Sequence, residues 1–288
     1  MYDDILVATD GSEATLGAVT NALSLAEAYG ATVHALYVVD MRAISVDNEG
    51  FDDDPVIDLL FDRGERATGE IRRRAEKRGL DVVTEVDPGT PASRIRGYAA
   101  DNGIDLISMG TRGRSGIQRH LLGSVAERVL RKSTVPVLTT RAAANSRDTT
   151  YDEILLPVDG SDAAARAADH AFDIAATYDA TIHALSVIDS GLVRSRDLLA
   201  SLERESESAV EATKARGRES GVNVVSEVWK GTPEQCLTEY AEERGVDMLV
   251  TGAHRKRGLD RFLHRNAVER VVRTADCPVL TVPEPSKD

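Results

Sequence analysis

The strongest constraint on this chain is that it says the same thing twice. Tyr2-Asp3-Asp4-Ile5-Leu6-Val7-Ala8-Thr9-Asp10-Gly11-Ser12 returns 149 positions later as Tyr151-Asp152-Glu153-Ile154-Leu155-Leu156-Pro157-Val158-Asp159-Gly160-Ser161. Ala31-Thr32-Val33-His34-Ala35-Leu36 returns at the same spacing as Ala180-Thr181-Ile182-His183-Ala184-Leu185. Later blocks return at 142: Gly89-Thr90-Pro91 as Gly231-Thr232-Pro233, and Val135-Pro136-Val137-Leu138 as Cys277-Pro278-Val279-Leu280. The halves therefore differ in length by seven residues, all between about 41 and 63. A repeat this long is a domain, not a solenoid unit. The expected boundaries are 1–142 and 151–284, with the small polar stretch 143–150 as linker.

Within each half, short apolar runs alternate with helical patterns. Ile5-Leu6-Val7-Ala8 reads as a strand buried on both faces. Ser12 is positioned to cap a helix whose apolar stripe is Leu16, Val19, Leu23 and Ala26, repeated as Ala165, Ala168, Phe172 and Ala175, and which Gly30 can end. Strand-like Val33–Val39 follows, then a long charged helix from about Val56 to Arg78, stopped by Gly79. Strand-like Val82–Val86 leads to a helix opened by Pro91, burying Ile95, Tyr98 and Ala99, matched by Leu237, Tyr240 and Ala241. Asp105–Met109 and Pro136–Thr140 complete five strands. Strands joined through helices must run parallel, so each half is expected to be an open, doubly wound α/β domain. Ligands of such sheets bind beyond the carboxyl ends of the strands, where strand order reverses.

The loop after strand four carries the chemistry. It contains Gly110, Arg112, Gly113, Arg114, Gly116, Gly123 and Ser124, and a helical pattern of Val125, Val129 and Leu130 follows. Glycines admit a close backbone and positive φ, and Gly123-Ser124 at a helix start would present free N–H groups to a phosphate. Arg112 or Arg114 could reach terminal phosphates. Asp10-Gly11-Ser12 forms a second polar turn at the same switch point.

At these residues the chain resembles the universal stress protein family. The family loop, Gly, two residues, Gly, nine residues, Gly, then Ser or Thr, is filled by Gly110, Gly113, Gly123 and Ser124. Asp10, Val38-Val39-Asp40 and Gly89-Thr90-Pro91 match its other motifs, and the resemblance covers about residues 2–141 and 151–283. It implies a five-stranded parallel sheet of order 3-2-1-4-5, of the adenine nucleotide alpha hydrolase-like kind. For the nucleotide-binding branch it implies ATP or ADP, with magnesium, as cofactor. The Val38 backbone would bond adenine, with Ala8, Thr9 and Asp10 beside the ribose or the phosphate-bound metal. Gly110 and Gly113 would pass under ribose and phosphates, Arg112 would join the binding residues, and Gly123, Ser124 and Val125 would donate to phosphate oxygens. Fifth strands of the family often meet across a two-fold axis, so an internal pseudo-dimer or a homodimer is expected.

The second half departs from this pattern. Gly252 keeps the place of Gly110, but Arg255 replaces Gly113, Arg265 replaces Gly123 and Asn266 replaces Ser124. Side chains there should fill the cradle and disfavour positive φ, so the second half is not expected to bind ATP in the family manner. Its loop is read as basic: His254, Arg255, Lys256, Arg257, Arg261, His264 and Arg265. That is either a site for another anion or acidic partner, or a solvated loop paired with acidic neighbours, the more ordinary outcome.

Composition sets the remaining bounds. The net charge is −13, which argues against unspecific nucleic-acid or anionic-membrane binding. Only six of the 35 basic residues are Lys, and an Arg-weighted acidic chain with 4% aromatics suits a salt-rich, halophilic cytoplasm. The acidic start, the absence of an apolar run of membrane length and the two scattered cysteines, Cys236 and Cys277, point the same way, to a cytoplasmic protein. Asp47, Glu49, Asp52, Asp53, Asp54 and Asp58 form an acidic segment, read as a solvated loop or lid rather than a cation site. His34 and His183 are read as structural, and Ser12 and Ser161 as caps rather than nucleophiles. The leading expectation is an ATP-binding regulatory or sensor protein with one site in the first domain. A nucleotide-independent interaction module using the basic loop is the alternative. A slow ATPase or phosphotransferase is the weakest reading, because Asp10 is the only acid placed near a terminal phosphate.

Overall fold

Ile5, Leu6 and Val7 are fully buried, which a strand achieves only with helices on both faces, and the computed structural model shows this arrangement in both halves. The structure describes residues 1–43, 55–112, 122–141, 149–189, 191, 195–253 and 261–284, with backbone alone for 43 and 261–267. The chain divides into two units, Met1–Thr149 and Thr150–Asp288.

The first unit runs β1 (Asp4–Thr9), a 3-10 turn (Glu13–Thr15), α1 (Leu16–Tyr29), β2 (Thr32–Asp40), α2 (Pro55–Glu76), β3 (Val82–Gly89), α3 (Pro91–Asp101), β4 (Leu106–Gly110), α4 (Ser124–Lys132) and β5 (Val137–Thr140). Its strands order β3-β2-β1-β4-β5, all parallel. Chain order reverses between β1 and β4, so the switch point lies between their carboxyl ends. The second unit runs β6 (Glu153–Pro157), α5 (Asp162–Tyr178), β7 (Thr181–Asp189), α6 (Arg196–Ser220), β8 (Val224–Gly231), α7 (Pro233–Arg244), β9 (Met248–Ala253), α8 (Arg261–Thr274) and β10 (Val279–Pro283). Its order, β8-β7-β6-β9-β10, is the same topology.

Each unit carries the same polar clasp at the amino ends of its strands. His34 Nδ1 bonds the Tyr98 hydroxyl at 2.9 Å and its Nε2 bonds Asp4 at 2.9 Å, joining β1, β2 and α3. His183 does the same with Tyr240 at 2.9 Å and Glu153 at 2.6 Å. Both histidines are buried with both ring nitrogens engaged, which explains a histidine inside an otherwise apolar strand. The stripe of α1 is shorter than its periodicity suggests. Val19, Leu23 and Ala26 are buried, but Leu16 is 41% exposed, and its counterpart Ala165 is exposed as well. Gly30 ends α1 in the left-handed region at φ 67°, and Asp179 takes that place in the second unit at φ 57°.

Candidate functional site

At the carboxyl end of β1 the chain must leave the sheet and enter α1 within a few residues. Ser12 is not the helix cap that its position suggests. Its hydroxyl donates to Asp10 Oδ1 at 2.6 Å, and its N–H donates to the same oxygen at 3.0 Å. The corner is held from beneath by two threonines. Thr15 Oγ1 donates to the Ser12 carbonyl at 2.8 Å, Thr9 Oγ1 lies 3.0 Å from Thr15 Oγ1, and Gly11 N–H donates to Thr9 Oγ1 at 3.0 Å. Ala8, Thr9 and Thr15 are buried and Asp10 is half-buried, so this corner carries a partly accessible aspartate on a buried hydroxyl support.

Beside it, β4 ends at Gly110, packed directly on the same corner. A Cβ at Gly110 would stand 3.0 Å from the Ala14 carbonyl oxygen and 3.3 Å from Thr15 Cγ2. A side chain at 110 would therefore be crowded, and its neighbours would have to give by a few tenths of an ångström. The chain then passes Thr111 and Arg112 and returns: Gly123 N–H donates to the Thr111 carbonyl at 2.8 Å, while Thr111 N–H donates to Thr140 at 3.0 Å. Gly123 is the residue before α4, with φ −62° and ψ 144° and no side-chain cap. That conformation is open to any residue, so the expected need for positive φ does not apply at 123. The amides of Ser124, Val125 and Ala126 open the helix and have no acceptor within it, and Ser124 is exposed.

Val38 completes the third side. Thr32 N–H reaches Asp3 towards β1, and Val33 N–H reaches Asp81 towards β3. Successive residues of a strand alternate, so Val38 turns its amide and carbonyl to the β1 side. β1 pairing stops at Thr9↔Tyr37, which leaves the Val38 carbonyl beyond the last rung. Two residues on, Arg42 grips Asp40 through Nε at 2.8 Å and Nη2 at 2.6 Å. That hydrogen bond holds the Asp40 carboxyl below its ordinary range, with Arg128 of α4 adding to the effect.

A β1 corner, a glycine-ended β4 and an uncapped helix start thus meet at the strand-order reversal of a parallel sheet. The universal stress protein family model matches residues 1–141 and again 150–283. The chain belongs to the universal stress protein family. A universal stress protein of Methanocaldococcus jannaschii is 38% identical over 142 residues, covering 49% of this chain and 83% of the relative. One from Mycolicibacterium smegmatis is 28% identical over 211 residues, covering 72% of this chain and 70% of the relative. Among solved structures, a universal stress protein from Archaeoglobus fulgidus superposes with TM-score 0.71 at 22% identity, covering 99% of this chain and 98% of that one, and so shares its fold.

Within this family member the second unit builds the same corner and return differently. Ser161 Oγ accepts the Ala164 N–H at 3.1 Å and so caps α5, as expected of it, while Asp159 accepts the Ser161 N–H at 2.9 Å. Val158 and Ala164 stand where Thr9 and Thr15 stand. Gly252 is packed even harder than Gly110, with a Cβ at 2.3 Å from the Ala163 carbonyl oxygen. The return is altered at the backbone. α8 begins at Arg261, five residues before Asn266, the counterpart of Ser124. Arg261, His264 and Arg265 are therefore on the first turns of a helix rather than in a loop, and the amide of Asn266 lies past the opening turn, where it is spent on an intrahelical bond.

Gly113, Arg114, Gly116, the basic residues 254–257 and the acidic residues 47–54 lie outside the described residues; Asp58 is on α2. Among the described residues no group of His, Cys, Asp or Glu is arranged to hold a metal ion, and no helix is long and apolar enough to cross a membrane. Sequence reasoning overlooked Thr15. The signal was available: Thr9 and Thr15 both lose their hydroxyls in the second half, as Val158 and Ala164, although the residues between them keep Asp and Ser.

Proposed function

We propose that the first unit binds one adenine nucleotide, ATP or ADP with magnesium, across the carboxyl ends of β1 and β4, and that its occupancy is the regulatory signal of this universal stress protein. The contrast between the two returns carries this reading. In the first unit the opening amides of α4 have no acceptor within the helix and follow a glycine at the switch point, as an anion site needs. In the second unit the corresponding amide is inside α8 and the glycine is Arg265.

The residues suit such a ligand. Gly123, Ser124 and Val125 would supply donors for phosphate oxygens, Gly110 and Gly113 the floor beneath ribose and phosphates, and Arg112 a cation for the terminal phosphates. The Val38 carbonyl, beyond the β1 ladder, is placed for an exocyclic amine of adenine. Ala8, Thr9 and Asp10 flank the sugar side, where the Asp10 carboxylate suits a ribose hydroxyl or a phosphate-bound magnesium. Denaturing freshly purified protein and analysing the supernatant tests for carried nucleotide. A titration with ATP at high salt then counts the sites. One nucleotide per chain is the expected result, and no uptake of ATP or ADP sinks the reading.

A further inference from the structure

The β1 corner holds more machinery than a turn requires. Thr15 has one hydroxyl hydrogen and gives it to the Ser12 carbonyl at 2.8 Å. The 3.0 Å contact between the threonine hydroxyls must then run from Thr9 to Thr15, and Thr9 Oγ1 in turn accepts the Gly11 N–H at 3.0 Å. The Ser12 carbonyl also accepts the Thr15 N–H at 3.1 Å. With its carbonyl fixed from below, Ser12 directs both its N–H and its hydroxyl onto Asp10 Oδ1. Hydrogen bonds therefore run in one direction, Thr9 to Thr15 to Ser12 to Asp10. Thr15 is 5% exposed, and its Cγ2 is among the atoms that a Cβ at Gly110 would meet, so the same side chain sets the distance from this corner to β4.

We infer that Thr15 is a positioning residue of the first unit's site: through Ser12 it holds the Asp10 carboxylate in the orientation that a nucleotide's ribose or magnesium requires. This rests on the nucleotide reading above and adds a residue to it. The second unit supplies the counterexample within one chain. It has Val158 and Ala164 at these places, its serine caps the helix, and it still folds as strand, turn and helix. The hydroxyl pair is therefore dispensable for the fold, and it occurs in the unit whose α4 opens behind Gly123.

The test is calorimetric titration of the full chain with magnesium ATP. Thr15→Val keeps the contact with Gly110 and removes the hydroxyl; affinity should fall about 10-fold, the usual scale for a partner that orients a ligating group. Thr15→Ser should restore it. In an Asp10→Ala background Thr15→Val should cost nothing further, because a residue that acts through Asp10 has no effect without it. Should Thr15→Val disturb folding, Thr9→Val with Thr15→Ala copies the second unit and serves instead. Wild-type affinity in Thr15→Val, or an equal loss with and without Asp10, overturns this inference alone. A wild-type chain that takes up no ATP overturns it together with the nucleotide reading.

Discussion

The two units agree where their sheets are built and disagree where their strands end. His34 and His183, Tyr98 and Tyr240, Gly110 and Gly252 do the same work in both. At the carboxyl ends, Ser12 serves Asp10 while Ser161 serves a helix, and α4 opens behind a glycine while α8 starts five residues earlier. The lesson concerns how to read a kept glycine. A Cβ at Gly252 would run into a backbone carbonyl at 2.3 Å and one at Gly110 would be crowded at 3.0 Å, so packing is reason enough to keep this glycine without a ligand. Gly123 has an ordinary φ of −62°, a conformation open to any residue, and its counterpart is Arg265.

The sharpest way to break the comparison is to make the first unit imitate the second. Gly123→Arg should abolish ATP uptake while leaving the unfolding midpoint unchanged, since its backbone conformation suits any residue. Gly113→Arg, which copies Arg255, should also end uptake. Retained binding in either titration would show that the cradle is misassigned.

The packing glycines should behave in the opposite sense. Gly252→Ala, with a Cβ at 2.3 Å from the Ala163 carbonyl oxygen, should lose about 1–3 kcal/mol in urea unfolding, the ordinary cost of overpacking. Gly110→Ala, at 3.0 Å from Ala14, should lose less. Equal losses would mean that the two corners are packed alike.

The serines give a smaller, reciprocal effect. Ser161→Ala removes a cap and should cost about 1 kcal/mol. Ser12→Ala, with no cap to lose, should be milder in unfolding and should instead weaken ATP uptake.

The least effect is expected at alkaline pH. Burial, with Glu227 adding, pushes the Tyr240 hydroxyl up to about 12, and burial pushes the Cys277 thiol up to about 12. The unfolded chain releases these protons near pH 10 and 9, so the folded state holds more protons in between. Their contribution is complete below about pH 9 and is lost as pH rises towards 12. Tyr240→Phe should flatten the decline in unfolding midpoint above pH 10, and an unchanged slope would show that Tyr240 is not its source.

Much of this was legible beforehand. The repeat, the strand and helix alternation, the strand order implied by the family motifs, and the loss of Gly123 and Ser124 as Arg265 and Asn266 are linear features. Helix ends were legible where one residue decides them, as at Gly30 and Pro91. The role of Ser12 was not. Asp10-Gly11-Ser12 and Asp159-Gly160-Ser161 are identical triplets with different hydrogen bonds, because the difference lies in the buried threonines behind the first one. The start of α8 was hidden for a related reason: a basic segment rich in Arg reads equally as loop or helix until its neighbours are in place.

By itself, then, the amino-acid order determined two parallel-sheet units, their switch points and the unit that keeps Gly123 and Ser124 ahead of its fourth helix. Periodicity and chain reversal are local, and local patterns suffice for them. Only the tertiary structure decided which acceptor each hydroxyl serves, how tightly Gly110 and Gly252 are packed and where α8 begins. Those choices depend on groups brought within 3 Å by packing, such as Thr9 against Thr15, and no local pattern specifies that approach.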